Sequence, residues 1–454
     1  MTALSGRRWL PPVLALSLRL AFLIAVRPWD PAVERRSVVV FDSIGYHEQA
    51  VTLLEHGRFA RAALAPPDAI MAPIYPLFVA ACYRAFGQRP WVVLLIQCLI
   101  DSLSAFLLVA CMSRWFGPAT GFLAGLLYAL DPFLVLYCSM MLTDILFVFV
   151  LVATLNTLSH AVGRGGGARW IWYGLSAAGM GLGALIRPAG QFLPAVLVLV
   201  LALEHWRRPV VLARYALGCV AVYMLVISPW LVRNERTFGH VFLTTSGSYN
   251  LLALGVGPMV AAERHQDWGK TQRELNQEAE DLVAAEGRRP EELDAYQHST
   301  YWRRVALRYI QREPVRFAVC WVRGMADTFL NLDTAVFALV LGREMNPVEL
   351  KGGGVLQKFV EFYQRKGRFG LVLGGGIALW FLFCYGAGVA GPGQLWNGPN
   401  RVAVLMLMTL IMYFAAVAGA GGLARFKLPA IPCYLPFTAA GARACLAWAR
   451  QRGR

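Results

Sequence analysis

Charge is scarce in this chain. Charged residues make up 15% of its 454 positions, against about 25% in soluble domains. So little ionised surface excludes an ordinary water-soluble globule. Nine cysteines occur, at 82, 98, 111, 138, 219, 320, 384, 433 and 445, yet no CxxC or metal-type spacing appears. That removes the zinc-ribbon and redox-motif readings and leaves small core residues. No internal repeat is visible, which argues against a transporter built from two matched halves. No heptad run is present either, so a coiled coil is excluded. No small-residue cleavage site follows the first apolar run, which Arg19 interrupts. That run reads as an uncleaved anchor rather than a signal peptide.

What fills the chain instead is hydrocarbon: 57% hydrophobic residues and a mean hydropathy of +0.50. Apolar runs of spanning length, about 20 residues each, fall at 9–26, 91–112, 119–138, 144–161, 170–186, 190–204, 211–232, 369–390, 401–419 and 427–447. The segment 314–341 carries Arg316, Arg323, Asp327 and Asp333 and is left open between a span and an interfacial helix. The chain is therefore expected to be an all-α polytopic membrane protein of about ten or eleven transmembrane helices.

The net charge of +16 sits in short loops rather than on one face, so membrane lipids, and no nucleic acid, are the expected partners. Arg7 and Arg8, Arg164 and Arg169 in GRGGGAR, and Arg207, Arg208 and Arg214 mark the cytoplasmic side. The segments 27–72 and 232–312 then fall outside, the latter holding ten of the 27 acids between Glu263 and Asp294. GRGGGAR and KGGG (351–354) read as short flexible loops, and the tail RQRGR (450–454) as cytoplasmic. Three regions follow: 1–232 as a catalytic module with its first outer loop at 27–72, 233–345 as outer loop and interfacial helices, and 346–454 as C-terminal spans.

Candidate functional residues are the polar groups that such a chain could most easily omit. Asp42, Tyr46 and Gln49 share one face of an amphipathic outer helix. Asp42 reads as a general base or, alternatively, as that helix's N-cap. Prolines at 66, 67, 73 and 76 exclude a regular helix over 66–76. Intramembrane acids default to functional candidates: Asp131 and Asp144 share one outer hairpin, while Asp101 and Gln97 read as an interhelical clasp. Arg187, ending a small-residue helix, is placed to grip a phosphate or merely to stop its span. Arg233, Arg425 and Lys427 are further cations on the same side, forming an anion site beside the acids.

The order FDSIGY, PIYPLF, QCLIDSLSAFLL, LYALDPFLVLYCSMMLTDILF, GLGALIRPAG, SPWLVRNERTFG, RFKLPAIP resembles the GT-C fold membrane glycosyltransferases of family 39-like type. These are kin of the dolichyl-phosphate-mannose–protein mannosyltransferases and of the lipid A aminoarabinose transferases. The resemblance covers residues 10–260, and the last hundred residues loosely. It implies a GT-C-like bundle with interfacial helices on the outer face. The implied reaction moves a hexose or pentose from a polyprenyl-phosphate donor to a lipid, glycan or protein acceptor, with inversion, on the periplasmic face of a bacterial inner membrane. Asp42 would be the base and Asp144 would orient the acceptor or hold a cation. Arg187 would neutralise the departing phosphate, and Tyr46, Tyr75, Asp131, Arg233, Arg425 and Lys427 would complete the substrate site. Relatives often show an acidic pair where Asp42 precedes Ser43, and Glu where Asp144 stands. No cofactor is called for, and the residues leave a divalent cation open. A membrane transporter of a lipid-linked or small polar substrate is the alternative.

Overall fold

A computed structural model describes residues 8–162, 169–343 and 355–452. Arg7, Arg164, the KGGG loop and the last two residues of the tail lie outside them. Every described element is helical, and no strand occurs among the described residues.

Each expected apolar run forms helix, and some of these helices meet the length and hydropathy of a single span by themselves. Six helices are long and apolar enough to span: Pro90–Phe116, Asp144–Ala161, Pro188–His205, Pro209–Phe238, Arg368–Leu395 and Arg401–Gly421. A seventh arises if Leu10–Val26 and Pro31–Val38, bent by 96° across the break between them, count as one. The other runs fall outside that set for physical reasons. Asp131 is extended and breaks 119–138 into Pro118–Leu130 and Pro132–Tyr137. Glycines and the opening Arg169 dilute Arg169–Ile186, and Arg443, Arg450 and Arg452 dilute Ile431–Arg452. Pro314–Leu330 is an amphipathic helix outside this set, with only Gly324 and Thr328 buried. Pro209–Phe238 leaves Leu217 and Leu225 each 71% exposed, as a lipid-facing helix should.

One hairpin fixes where chemistry can sit. Asp144–Ala161 and Arg169–Ile186 each contain 18 residues, about 27 Å of helix at 1.5 Å per residue. Arg169 Nε donates to Ala161 O at 3.1 Å, closing the far end. Equal lengths then return Arg187 level with Asp144. The far end collects other cations: Arg114 on Asn156 and Ser159, and Arg443 on Thr120.

Inside the bundle, Arg19 is buried among three helices. Its Nε donates to Asp101 Oδ2 at 2.7 Å, and its remaining nitrogens donate to the carbonyls of Ala129 and Tyr128. Tyr128 Oη donates to Asp101 Oδ1 at 2.6 Å. Asp101 does clasp helices, but its partner is Arg19. Gln97 serves elsewhere, accepting from Tyr75 Oη at 2.6 Å and donating to Met140 O at 2.9 Å.

The segment after Pro209–Phe238 folds into a small helical unit with its own core. Leu275, Ala279 and Val283 of Trp268–Ala285 recur every four residues and pack with Leu252, Val256, Met259, Val305 and Ala306. Asp267 caps that helix, and Asp294 with Gln297 forms a capping box on Ala295–Arg312. The three-to-four-residue apolar period is the signal that makes this unit readable in sequence.

Candidate active site

Asp42 opens the helix Asp42–His56 but does not cap it. The N-cap position is Phe41, without a side-chain cap bond, and Ser43 Oγ instead turns back onto Val40. Phe41 has φ 53° and is 63% exposed. A bulky residue at positive φ is an outlier that surrounding structure must hold in place, and it stands directly before Asp42. The Asp42 carboxylate is thus turned inward, where Oδ2 accepts from Arg425 Nη2 at 2.5 Å. Its side chain stays 44% exposed, so the carboxylate stands at a rim open to solvent. Burial pushes the Asp42 carboxyl up, but Arg425, then Arg187 and Arg61, outweigh it and hold the group below the ordinary carboxylate range.

Asp144 contrasts with it. Its side chain is 1% exposed, Oδ1 is paired with Arg187 Nη1, and buried Oδ2 has no hydrogen-bond partner. Arg425 likewise has a buried Nε without a partner. The ring of Phe426 joins the two pairs, with the Arg187 guanidinium 5.1 Å and that of Arg425 5.4 Å from its centroid. Tyr46 is buried against Tyr75, ring centroids 4.8 Å apart. It lies in the field of Asp42, Arg425, Arg187 and Asp144 together.

The four residues 42, 144, 187 and 425 therefore converge, with Tyr46 and Tyr75 alongside. Three other candidates have different neighbours. Arg233 donates to Asp68 O at 3.1 Å and Asn234 Oδ1 at 2.9 Å, packed between Phe59, Trp230 and Phe238. It braces the loop that holds Phe59 and Asp68. Asp131 is fully buried, capping Phe133 N and Leu134 N and accepting from Trp380 Nε1 at 3.1 Å. Lys427 is fully buried too, its Nζ donating to Asn331 O at 2.9 Å and lying 3.5 Å from the Phe133 ring centroid.

Sequence reasoning missed Asp68 and Phe426. Asp68 is 6% exposed and gathers Gln49 Nε2 at 2.8 Å, Arg61 Nε at 2.9 Å and Ile70 N at 2.7 Å. It ties the back of the Asp42 helix to its loop. The proline reading of that loop needs one adjustment: helix begins at Ile74, because Pro76 lies in the first turn where no N–H is needed.

Nothing in the donor set assembles a metal cage. Among the described residues no group of three or more His, Cys, Asp or Glu side chains could hold a metal ion. The pairing predicts that Asp144→Glu keeps activity better than Asp144→Asn or Asp144→Ser, because only Glu retains charge opposite Arg187. Transfer rates at matched membrane levels check this, and full activity in the Asn and Ser variants would demote Asp144 to a helix-end residue.

The fold is similar to that of the GT-C membrane proteins. The chain is similar to the oligosaccharyltransferase of Archaeoglobus fulgidus tethered with an acceptor peptide containing the NVT sequon, at 14% identity, covering 95% of this chain and 49% of that one with a TM-score of 0.50. It is similar to AglB from the same organism in complex with an inhibitory peptide and a dolichol-phosphate, at 14% identity, 96% and 51% coverage and a TM-score of 0.50. ArnT from Cupriavidus metallidurans bound to undecaprenyl phosphate matches at 16% identity, 94% and 78% coverage and a TM-score of 0.40. The chain spans about half the length of the oligosaccharyltransferases it matches. At such identities the shared property is the fold. Within it, residues 70–232 match the sequence model of the family described as dolichyl-phosphate-mannose-protein mannosyltransferase. No curated protein matches the sequence.

Proposed function

We propose that this protein transfers a sugar from a polyprenyl-phosphate donor to an acceptor hydroxyl, with inversion, on the periplasmic side of the bacterial inner membrane. The observation that carries the reading is the convergence of two acid–guanidinium pairs, Asp42–Arg425 and Asp144–Arg187, around one ring. The donor phosphate is the leaving group, so no nucleophile is needed beyond the acceptor. The acceptor proton passes to Asp42 while the acceptor oxygen bonds the anomeric carbon. The anomeric C–O bond breaks with its electron pair on the phosphate, opposite the attack. Arg187 and Arg425 neutralise that phosphate.

The Asp42–Arg425 pair adds an order to these events. While Arg425 holds Asp42, the carboxylate is a weak base. A donor phosphate competes for the same guanidinium, releases Asp42 and raises its basicity. Donor therefore binds before acceptor. The test uses purified protein in sugar-free detergent with polyprenyl-phosphate hexoses and pentoses, following release of polyprenyl phosphate with and without added acceptors. Intersecting initial-rate patterns with donor binding first are expected. Absence of release with every donor sugar and acceptor would overturn the reading.

A further inference from the structure

Beside the proposed active site lies an open cleft of about 500 Å³. One wall is the small helical unit, through Pro258 and Trp268, and the other is the amphipathic helix, through Asp327, Leu330 and Asn331. Its floor is the turn Ala420–Leu423. Backbone demands fix that floor: Gly422 has φ 59°, and a Cβ there would stand 3.0 Å from the Asp327 Cβ. The indole of Trp268 is pinned by its Nε1 donating to Ala253 O at 3.1 Å, yet remains 41% exposed. The Asp327 side chain is exposed and takes no hydrogen bond or ion pair among the described residues.

Two links run from the cleft toward Asp42. Leu423 on its floor is two residues from Arg425, which holds Asp42. One turn along the helix from Trp268, Gln272 Nε2 donates to Tyr249 Oη, and Tyr249 lies within the electrostatic reach of Asp42.

Resting on the transfer reading above, we infer that this cleft receives a sugar ring of the acceptor, so that the acceptor is a carbohydrate, free or lipid-linked. An anchored indole face offers the C–H side of a pyranose a flat apolar platform. The free carboxylate of Asp327 at its edge accepts hydrogen bonds from ring hydroxyls. A prenyl or acyl chain would use the apolar wall but would leave Asp327 idle. A lipid phosphate would be repelled by it.

The test is saturation-transfer-difference NMR on the full-length protein in sugar-free micelles, with methyl α-D-mannopyranoside and methyl β-D-glucopyranoside as carbohydrate probes and phytanol as hydrocarbon probe. No donor is present, so the outcome is independent of whether transfer occurs. Saturation of glycoside ring protons is expected in the wild type and in Asp42→Asn. Binding should fall about tenfold in Trp268→Ala and Asp327→Ala, and be partly kept in Trp268→Phe. Unchanged thermal midpoints of these variants establish that the fold is intact. The inference is overturned if the wild type binds neither glycoside or if Trp268→Ala binds them normally. It is equally overturned if phytanol, and not the glycosides, is the probe lost.

Discussion

Replacing Asp42 by Asn is expected to leave a folded protein whose transfer rate is reduced about 10²–10⁴-fold, the range a general base contributes. The fold should survive because the helix is held elsewhere: by Asp68 on Gln49, by Ser43 on Val40 and by Tyr46 on Tyr75. The amide can still accept from Arg425 but cannot take a proton. Matched thermal midpoints with steady-state turnover check this, and wild-type turnover in Asp42→Asn would sink the assignment. A pH signature accompanies it. In the free enzyme Arg425 more than offsets burial and holds the Asp42 carboxyl below its ordinary range. The base is then ionised at neutral pH, and kcat/KM should fall only once the pH drops below about 3.9, the unperturbed value. Arg425→Gln removes the downward pull while burial persists, so the acid limb should move to higher pH. An unmoved limb would mean that Asp42 is not the titrating base.

The largest stability effect is expected at Arg19 and Asp101. Both side chains are 0% exposed, and removing one partner strands the other charge in hydrocarbon. Arg19→Met or Asp101→Leu alone should cost about 3–5 kcal/mol. The double variant should cost well under the sum, because no charge is left buried. It should not reach zero, since Tyr128 Oη, Tyr128 O and Ala129 O lose partners. Denaturant unfolding in detergent gives the cycle. Additive losses would show that the two groups do not act as a pair.

The bundle and most of the site's charges were legible because a charge in an apolar run is conspicuous in one dimension. What a charge faces is not. Arg187 and Arg233 look alike in sequence, each closing an apolar helix. Yet Arg187 meets Asp144, while Arg233 is enclosed by Phe59, Trp230 and Phe238. Arg425 and Lys427 are two residues apart but belong to different clusters, because the 3₁₀ turn Ala424–Ala430 directs them apart. Helix breaks are hidden for a similar reason: an apolar stretch such as 119–138 does not announce that Asp131 will leave the helix to cap the next one.

The buried Arg19 also orders the birth of the molecule. Alone in a bilayer, a helix carrying a central Arg is disfavoured by about 2.5–3.5 kcal/mol. Its counter-charge, Asp101, is 82 residues downstream, or about 4–16 s of synthesis at about 5–20 residues per second. During that interval the first helix has no partner in the lipid. It should dwell at the insertion machinery until Pro90–Phe116 emerges, and then leave with it. Nascent chains stopped before and after the emergence of Pro90–Phe116 should therefore differ in crosslinking of the first helix to the translocon, and Arg19→Leu should abolish the difference.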